Sequence, residues 1–599
     1  MVRDYTGAVI RSKVFFGIVV LALSLLAAAG WSATGEAPFD VLIVGARIVD
    51  GSGAPWFRGD IGIRKGRIAR IGKLAGAPAA RVVDAAGRIA APGFIDVHVH
   101  VEESLLANPD ARNLLADGVT TIITGNCGAS DRDVAGWLSR FSEAGVAVNV
   151  GTLYGHNTAR SEVMGNADRA PTARELAEME SLVRRAMRDG AMGLSTGLIY
   201  SPGTFAQPRE IAALARVAGE SGGIYATHMR SENDRVFESI EESIAAARAA
   251  GVPLQISHFK VTSQRLWGES RRMLARVEAA RASGLDVTLD QYPYTASSSG
   301  LEVLLPEWAL AAERDGPRRA VERRLADARA RRKIAAEILE RLGTTLGRRD
   351  LSYAVVAAAP WDASLEGKSL RQITLNSRRR ETGARDALRA DIETLLQVCE
   401  RGAASGRGGG ACGTQMIYHS MKEEDVERIF ASPLTMIARD GGVASLTAGN
   451  PHPRSFGTSA RVLARYVRER GLVSLEEAVR KMTSLPAERF GLEGRGLLRE
   501  GLRADVVLFD PDEVEDLSTF QDPHHDSRGF DLVLVNGVIV RDGGRPTCAR
   551  PGMTLYGPGY RGAAARVARK SGPSVMARSS GPSVILRAGG PKNLLSLSK

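Results

Sequence analysis

Apolar and polar residues alternate, with breaks at glycine, through FDVLIVGARIVDGSG, GDIGIRKGRIARIG and RVVDAAGRIAAPG in the first hundred residues. A period of two cut by Gly reads as antiparallel strands and hairpins. The same texture returns far downstream in ADVVLFDPDEV, FDLVLVNGVIVRDGG and MTLYG. Two such segments predict one small β-sandwich domain built from both ends of the chain, residues 38–92 and 490–558. Between them the pattern changes. Helical stretches such as EIAALARVAGESG and VFESIEESIAAARAAG each lead into a nearly continuous apolar run, GIYATH and VPLQISH among them. Strands of that kind belong to a parallel sheet buried on both faces. At least seven units are visible, which predicts an α/β protein with a closed TIM-like (β/α)8 barrel over residues 93–489. The rhythm breaks over about 300–430, where charged helical sequence gives way to the glycine-rich GAASGRGGGACG. This inserted segment reads equally as a lid on the barrel and as a solvated helical excursion.

Length and composition suit this plan. The chain has 599 residues, 44% hydrophobic and 25% charged, an ordinary globular balance with room for several domains. The net charge of +11 would suggest nucleic acid, but its location argues against that reading. Eight Lys/Arg and no acids lie between Tyr560 and Lys599, and most of the remaining excess precedes Phe15. A basic tail without interleaved aromatics is poor grounds for nucleic-acid binding. That tail, 560–599, repeats SGPSV and is expected to be disordered. Residues 1–33 place Arg3, Arg11 and Lys13 before the apolar VFFGIVVLALSLLAAAG. This is the order of a signal peptide, so the protein is expected to be exported, periplasmic or secreted, with an uncleaved N-terminal anchor as the alternative. The four cysteines, Cys127, Cys399, Cys412 and Cys548, form no disulfide framework, although Cys399 and Cys412 are free to pair in an exported chain.

The chemistry lies at the ends of the predicted barrel strands, where barrel enzymes carry their active residues. His98 and His100 close PGFIDVHVH, Cys127 follows GVTTIITGNCG, His156 follows NVGTLYGH, His228 ends GIYATH, His258 ends PLQISH, and Asp440 follows LTMIARDGG. Residues i and i+2 of a strand face one side, so His98 and His100 present two imidazoles together. Zinc accepts imidazole nitrogen, thiolate and carboxylate oxygen. Taken singly, each has a plainer reading: a His as a satisfied polar residue, Cys127 as a small core residue, Asp440 as a turn residue before Gly-Gly. Their joint placement argues for a metal site. His419, His452, His524 and His525 lack that setting.

The stretches PGFIDVHVH, GVTTIITGNCG, YGHNTAR, THMRSE, ISHFK, DQYPYTASSSGL, IARDGG and HPRSFGT, spread over residues 40–558, resemble the N-acyl-D-amino-acid deacylase (D-aminoacylase) family of the amidohydrolase superfamily. The resemblance implies a distorted barrel with a small β-sandwich and zinc, one ion bound tightly and a second more weakly. Position by position, Cys127, His228 and His258 match the tight site, with Cys127 in place of the carboxylated lysine of many relatives. His98 and His100 match the weaker site, and Asp440 matches the catalytic carboxylate. Lys260, Tyr292 and Ser299 match positions that line the substrate pocket; Arg454 is expected to anchor the substrate carboxylate, and His156 is expected to bind substrate with them. The chain departs from the commoner pattern at GHNTAR and at ARDGG, where a small residue often precedes the Asp. Both departures are expected to bear on substrate preference rather than chemistry.

The reaction implied by this resemblance is zinc-assisted hydrolysis of the amide bond of an N-acyl-D-amino acid, a small-molecule substrate, to a carboxylate and a free D-amino acid. Asp440 takes a proton from the attacking water and returns it to the leaving amine, and His228 or Tyr292 assists the oxyanion. The alternatives are a cyclic-amide hydrolase of hydantoinase or dihydroorotase type, a dipeptidase-like amidohydrolase, and an inactive barrel that binds metal or a peptidoglycan fragment. The first usually needs a bridging lysine, which NVGTLYGH does not supply.

Overall fold

The computed structural model describes residues 37–312, 316–377, 387–444 and 449–562. The expected signal peptide and all but the first three residues of the basic tail lie outside them. No helix among the described residues is long and apolar enough to cross a membrane.

The alternating segments at the two ends do build one sheet. Strands β1 (Phe39–Ile48), β2 (Phe57–Arg64), β3 (Arg67–Gly72), β4 (Ala79–Asp84) and β5 (Ile89–Pro92) come from the N-terminal side. β5 pairs antiparallel with Val506–Phe509, placing Val506 opposite Pro92 and Phe509 opposite Ile89. The Val506–Phe509 strand continues the sheet to Phe530–Val535 and Val538–Asp542. Ile43, Ile61, Ile63, Val506 and Leu534 meet in a shared core. The 490–558 boundary needs two corrections. Phe490 and Leu492 pack with barrel residues. Beyond the sheet, the stretch holding MTLYG returns to the barrel: Val150 donates its N–H to Met553 O at 2.9 Å, and Leu555 donates to Val150 O at 2.7 Å. Alternation alone does not say which sheet a strand joins.

The barrel strands are β6 (Phe94–Asp96), β7 (Val119–Thr124), β8 (Asn149–Thr152), β9 (Tyr154–Gly155), β10 (Gly193–Gly197), β11 (Ile224–His228), β12 (Leu254–Ile256) and β13 (Val287–Gln291). Every residue of these strands is buried, as a parallel sheet covered by helices requires. β8 and β9 are one strand interrupted at Leu153, so the eighth position falls to Thr435–Ile437, paired parallel to β13. Backbone bonds from Asp440 N to His98 O and from His100 N to Gly441 O, both 2.8 Å, close the ring onto β6. The intervening helices carry ordinary stop and start signals. Thr172 and Glu175 form a capping box ahead of Ala173–Asp189, and Gly190 ends it in the left-handed region.

The chain leaves the barrel after β13. β14 (Ala296–Gly300), β15 (Ala354–Ala358) and β16 (Gln415–His419) form an antiparallel sheet in the order β14-β16-β15. With the helices around them they enclose a separate core, from Leu301 through Ile392 to Tyr418. Cys399 and Cys412 pair as a disulfide within it. The expected boundary at 430 is too late: the helix Glu423–Ala431 buries Val426, Ile429 and Phe430 in the barrel core. Its apolar stripe belongs to the last barrel unit, which the charged sequence before it obscured.

Candidate metal centre and substrate cavity

Local backbone geometry delivers the site. Cys127 follows the end of β7 with φ of 53°, and His258 and Asp440 take φ of 34° and 48° beyond the ends of their strands. Left-handed non-glycine residues are costly and cluster where a fold over-determines them for function. The glycines of TGNCG are required for packing: at Gly125, itself at φ of 74°, a Cβ would lie 2.1 Å from Leu153 O, and at Gly128 it would lie 2.2 Å from Asn157 Oδ1.

The structure brings His98, His100, Cys127, His228, His258 and Asp440 together. Cys127 Sγ lies 3.3 Å from His98 Nε2, 3.6 Å from His228 Nδ1 and 3.5 Å from His258 Nε2. Ligand bonds of about 2.3 Å to sulfur and 2.0–2.1 Å to nitrogen, in tetrahedral arrangement, separate the two atoms by about 3.6 Å. The cluster of Cys127, His228 and His258 therefore has the spacing of a metal-ligand set. Burial opposes the thiolate, but positive charge at His98 and hydrogen bonds from the His100, His228 and His258 rings hold the Cys127 thiol well below its usual range. Asp440 Oδ1 is 3.1 Å from His100 Nε2 and 3.4 Å from His98 Nε2, and Oδ2 is 2.9 Å from Arg454. Burial pushes the Asp440 carboxyl up, yet Arg454 and the imidazoles outweigh it and keep it well below the ordinary carboxylate range.

Three further residues hold this constellation, and sequence reasoning does not find them. Glu232 Oε1 lies 2.9 Å from His258 Nδ1 and 2.5 Å from Lys260 Nζ, and Oε2 lies 3.7 Å from His228 Nε2. The carboxylate at His258 Nδ1 would keep that ring's proton on the outer nitrogen with Nε2 turned to the cluster, whereas His228 Nε2 has no hydrogen-bond partner among the described residues. Asp290 accepts the His258 backbone N–H at 2.7 Å and faces His98 Nδ1 at 3.4 Å. Tyr200 sets its ring 4.8 Å from that of His228 and accepts a bond from Ser299 Oγ at 3.2 Å. The glutamate of THMRSE and the aspartate of DQYPY are visible in the chain, but no spacing rule links a loop carboxylate to an imidazole one strand away.

Lys260, Tyr292, Ser299, His228 and Asp440 line one cavity of about 390 Å³. Arg454 stands beside it, its guanidinium 4.4 Å from the centre of the Tyr292 ring, with Lys260 Nζ 5.6 Å from the same centre. Tyr292 Oη has no hydrogen-bond partner among the described residues. The inserted segment supplies the opposite wall, which mixes Leu304, Leu342 and Leu346 with Glu302, Arg341 and Arg348.

His156 is a correction. It is fully buried at the start of the helix His156–Met164, outside the cavity lining. Its Nε2 pairs with Glu210 Oε1 at 2.8 Å and its Nδ1 with Asn157 Oδ1 at 3.2 Å. Both nitrogens are spent on a buried cluster with Arg160, which leaves none for a substrate. Arg439 is a second correction. Its side chain turns away from the cavity into the barrel wall, so the departure at ARDGG does not touch a substrate.

Residues 81–541 match the amidohydrolase family. The chain is 36% identical to the D-aminoacylase of Alcaligenes xylosoxydans xylosoxydans, across 84% of this chain and 94% of that protein. It is 35% identical to the N-acyl-D-glutamate deacylase of the same organism, across 86% and 96%. Among solved structures it is similar to the N-acyl-D-glutamate deacylase of Bordetella bronchiseptica, complexed with zinc and a phosphonate mimic of the tetrahedral intermediate. There the TM-score is 0.72 and the identity 34%, over 87% of this chain and all of that one. With a family match over most of its length and relatives this close, the chain belongs to the amidohydrolase family, in its D-aminoacylase branch.

Proposed function

We propose that this protein is a zinc-dependent hydrolase that cleaves the amide bond of N-acyl-D-amino acids, releasing a carboxylate and a free D-amino acid. The observation that carries the reading is the Cys127 thiolate set 3.3–3.6 Å from three imidazole nitrogens, with the Asp440 carboxylate on the same cluster. Cys127, His228 and His258 would hold a tight zinc, and His98, His100 and Cys127 a weaker one. When bound, zinc supplies a Lewis acid and lowers the pKa of water to roughly 7.

The remaining work falls to the chain's own residues. Asp440 takes the proton of the attacking water and hands it to the leaving amine. The substrate carboxylate is received between Lys260, Arg454 and the Tyr292 hydroxyl, which fixes the amide over Asp440. With the Tyr292 hydroxyl assigned to the substrate carboxylate, Tyr200, which lines the cavity beside His228, is assigned as the donor for the oxyanion. Burial and the Cys127 charge raise its phenol well above the usual range, so it stays protonated. The cyclic-amide alternative loses ground because β8, Asn149–Thr152, carries no lysine.

A panel of N-acetyl amino acids of both hands, with zinc measured on the same sample, tests the reading. Release of acetate from D-substrates only, in a zinc-containing protein, is expected. Equal turnover of L-substrates, or ring opening of a hydantoin in their place, overturns it.

A further inference from the structure

Arg439 precedes Asp440 and is fully buried, with a relative exposure of 0%. Its fork is spread over three separate segments of the chain. Nε donates to Asp96 Oδ2 at 2.7 Å, Nη2 to Asp117 Oδ2 at 3.1 Å, and Nη1 to Ser455 O at 3.1 Å. Each anchor leads to a group of the site. Asp96 Oδ1 accepts the His98 N–H at 3.1 Å and that of Arg439 itself at 3.3 Å. Ser455 adjoins Arg454, the residue paired with Asp440. Asp117 accepts the N–H groups of Ser459 and Ala460, at 2.7 and 2.9 Å, on that same helix. Asn113 seconds the joint, donating to Ser455 O at 2.7 Å and to Gly442 O at 3.0 Å.

We propose that Arg439 is a positioning residue for amide hydrolysis, setting the Asp440 carboxylate against His98 and Arg454 without touching substrate. The inference rests on the deacylase reading. Asp440 sits at φ of 48°, a conformation that persists only where surroundings enforce it. Backbone bonds pin Asp440 N to His98 O, but the helix bearing Arg454 is tied to that corner through the Arg439 fork. A buried guanidinium between two carboxylates is satisfied only by planar, several-donor geometry, which lysine lacks.

The test is Arg439→Lys in the full chain, with kcat, KM, zinc content and a crystal structure of the variant. Catalytic groups need placement within about 0.5 Å, and an error near 1 Å costs about 10²-fold. The expected result is a 10–100-fold loss of kcat per zinc-loaded molecule, the tight zinc retained, and the Asp440–Arg454 separation moved by about 0.5 Å or more. Asp117→Asn loosens one anchor and keeps the Asp96–His98 link. It should lose roughly tenfold in kcat, and it carries the test if Arg439→Lys does not fold. Unchanged kcat with a lowered melting temperature would overturn the proposal, as would activity lost in proportion to zinc. The crystal separation is read without activity. If the wild type fails to cleave acyl-D-amino acids, the deacylase reading falls while the geometric claim is still decided.

Discussion

Replacing Glu232 by Gln keeps the shape of a side chain that binds no metal, yet it should weaken zinc binding. Glu232 is 6% exposed and is shared by Lys260, His258 and His228. Burial alone would raise its pKa, but Lys260 and the two imidazoles bring it down to about 2. At 2.5 Å from Lys260, with an effective dielectric of about 20, the attraction is about 7 kcal/mol before desolvation. Removing one partner of such a buried pair costs about 3–5 kcal/mol, because the other charge is left uncompensated. The amide also supplies one acceptor where the carboxylate supplied two, and Lys260 competes for it, so the tautomer of His258 is held less firmly. Outer-shell losses of this kind cost about 10–100-fold in metal affinity. Chelator competition for zinc and urea unfolding separate the two effects. The double variant Glu232→Gln/Lys260→Met should recover most of the stability and little of the zinc affinity, since it removes the stranded charge without restoring the carboxylate. Wild-type zinc affinity in Glu232→Gln would refute the reasoning.

Asp440→Asn should lower kcat by roughly 10²–10⁴ with a smaller change in KM and the tight zinc in place; restoration by excess zinc would reassign the residue to the weaker metal site. Cys127→Ala should lose zinc from both positions, because its sulfur is common to both ligand sets, and full occupancy by elemental analysis would return Cys127 to a packing role. Lys481 is fully buried, and burial takes its pKa from 10.5 to about 7. Below pH 7 both folded and unfolded states carry the proton and the burial cost stands in full; between pH 7 and 10.5 the folded state releases it first, so stability rises. Unfolding in urea at pH 7 and pH 10 should show the wild type gaining about 3.5 kcal/mol relative to Lys481→Met across that window, and a constant difference would count against it.

The barrel is legible in the chain because its strands are apolar throughout and each follows a helical period. The candidate ligands are legible because barrel chemistry gathers at strand ends, and the structure brings His98, His100, Cys127, His228 and His258 together there. The same rule misplaces His156, which also follows a strand but sits one residue into a helix. A strand-end position cannot show whether a ring turns to the mouth or to a partner such as Glu210. Glu232 and Asp290 are hidden for the converse reason. Their roles arise only when neighbouring strands are aligned, as when β12 and β13 set Ile256 beside Leu289. Arg439 suggests a change at the substrate because its neighbour faces the cavity. Adjacent residues leaving a strand need not share a side.

The pairing of β5 with Val506–Phe509 fixes an order of events during synthesis. More than four hundred residues separate the two strands, and at about 5–20 residues per second the ribosome needs roughly 20–80 s to traverse them. Throughout that interval Ile89–Pro92, buried at every position in the finished protein, has β1 on one side and no partner on the other. An unpaired apolar edge is a template for the wrong strand, so the nascent chain depends on early barrel folding or on a chaperone until its final hundred residues emerge. Truncation just before Val506 would therefore be expected to produce an aggregating barrel rather than a smaller enzyme.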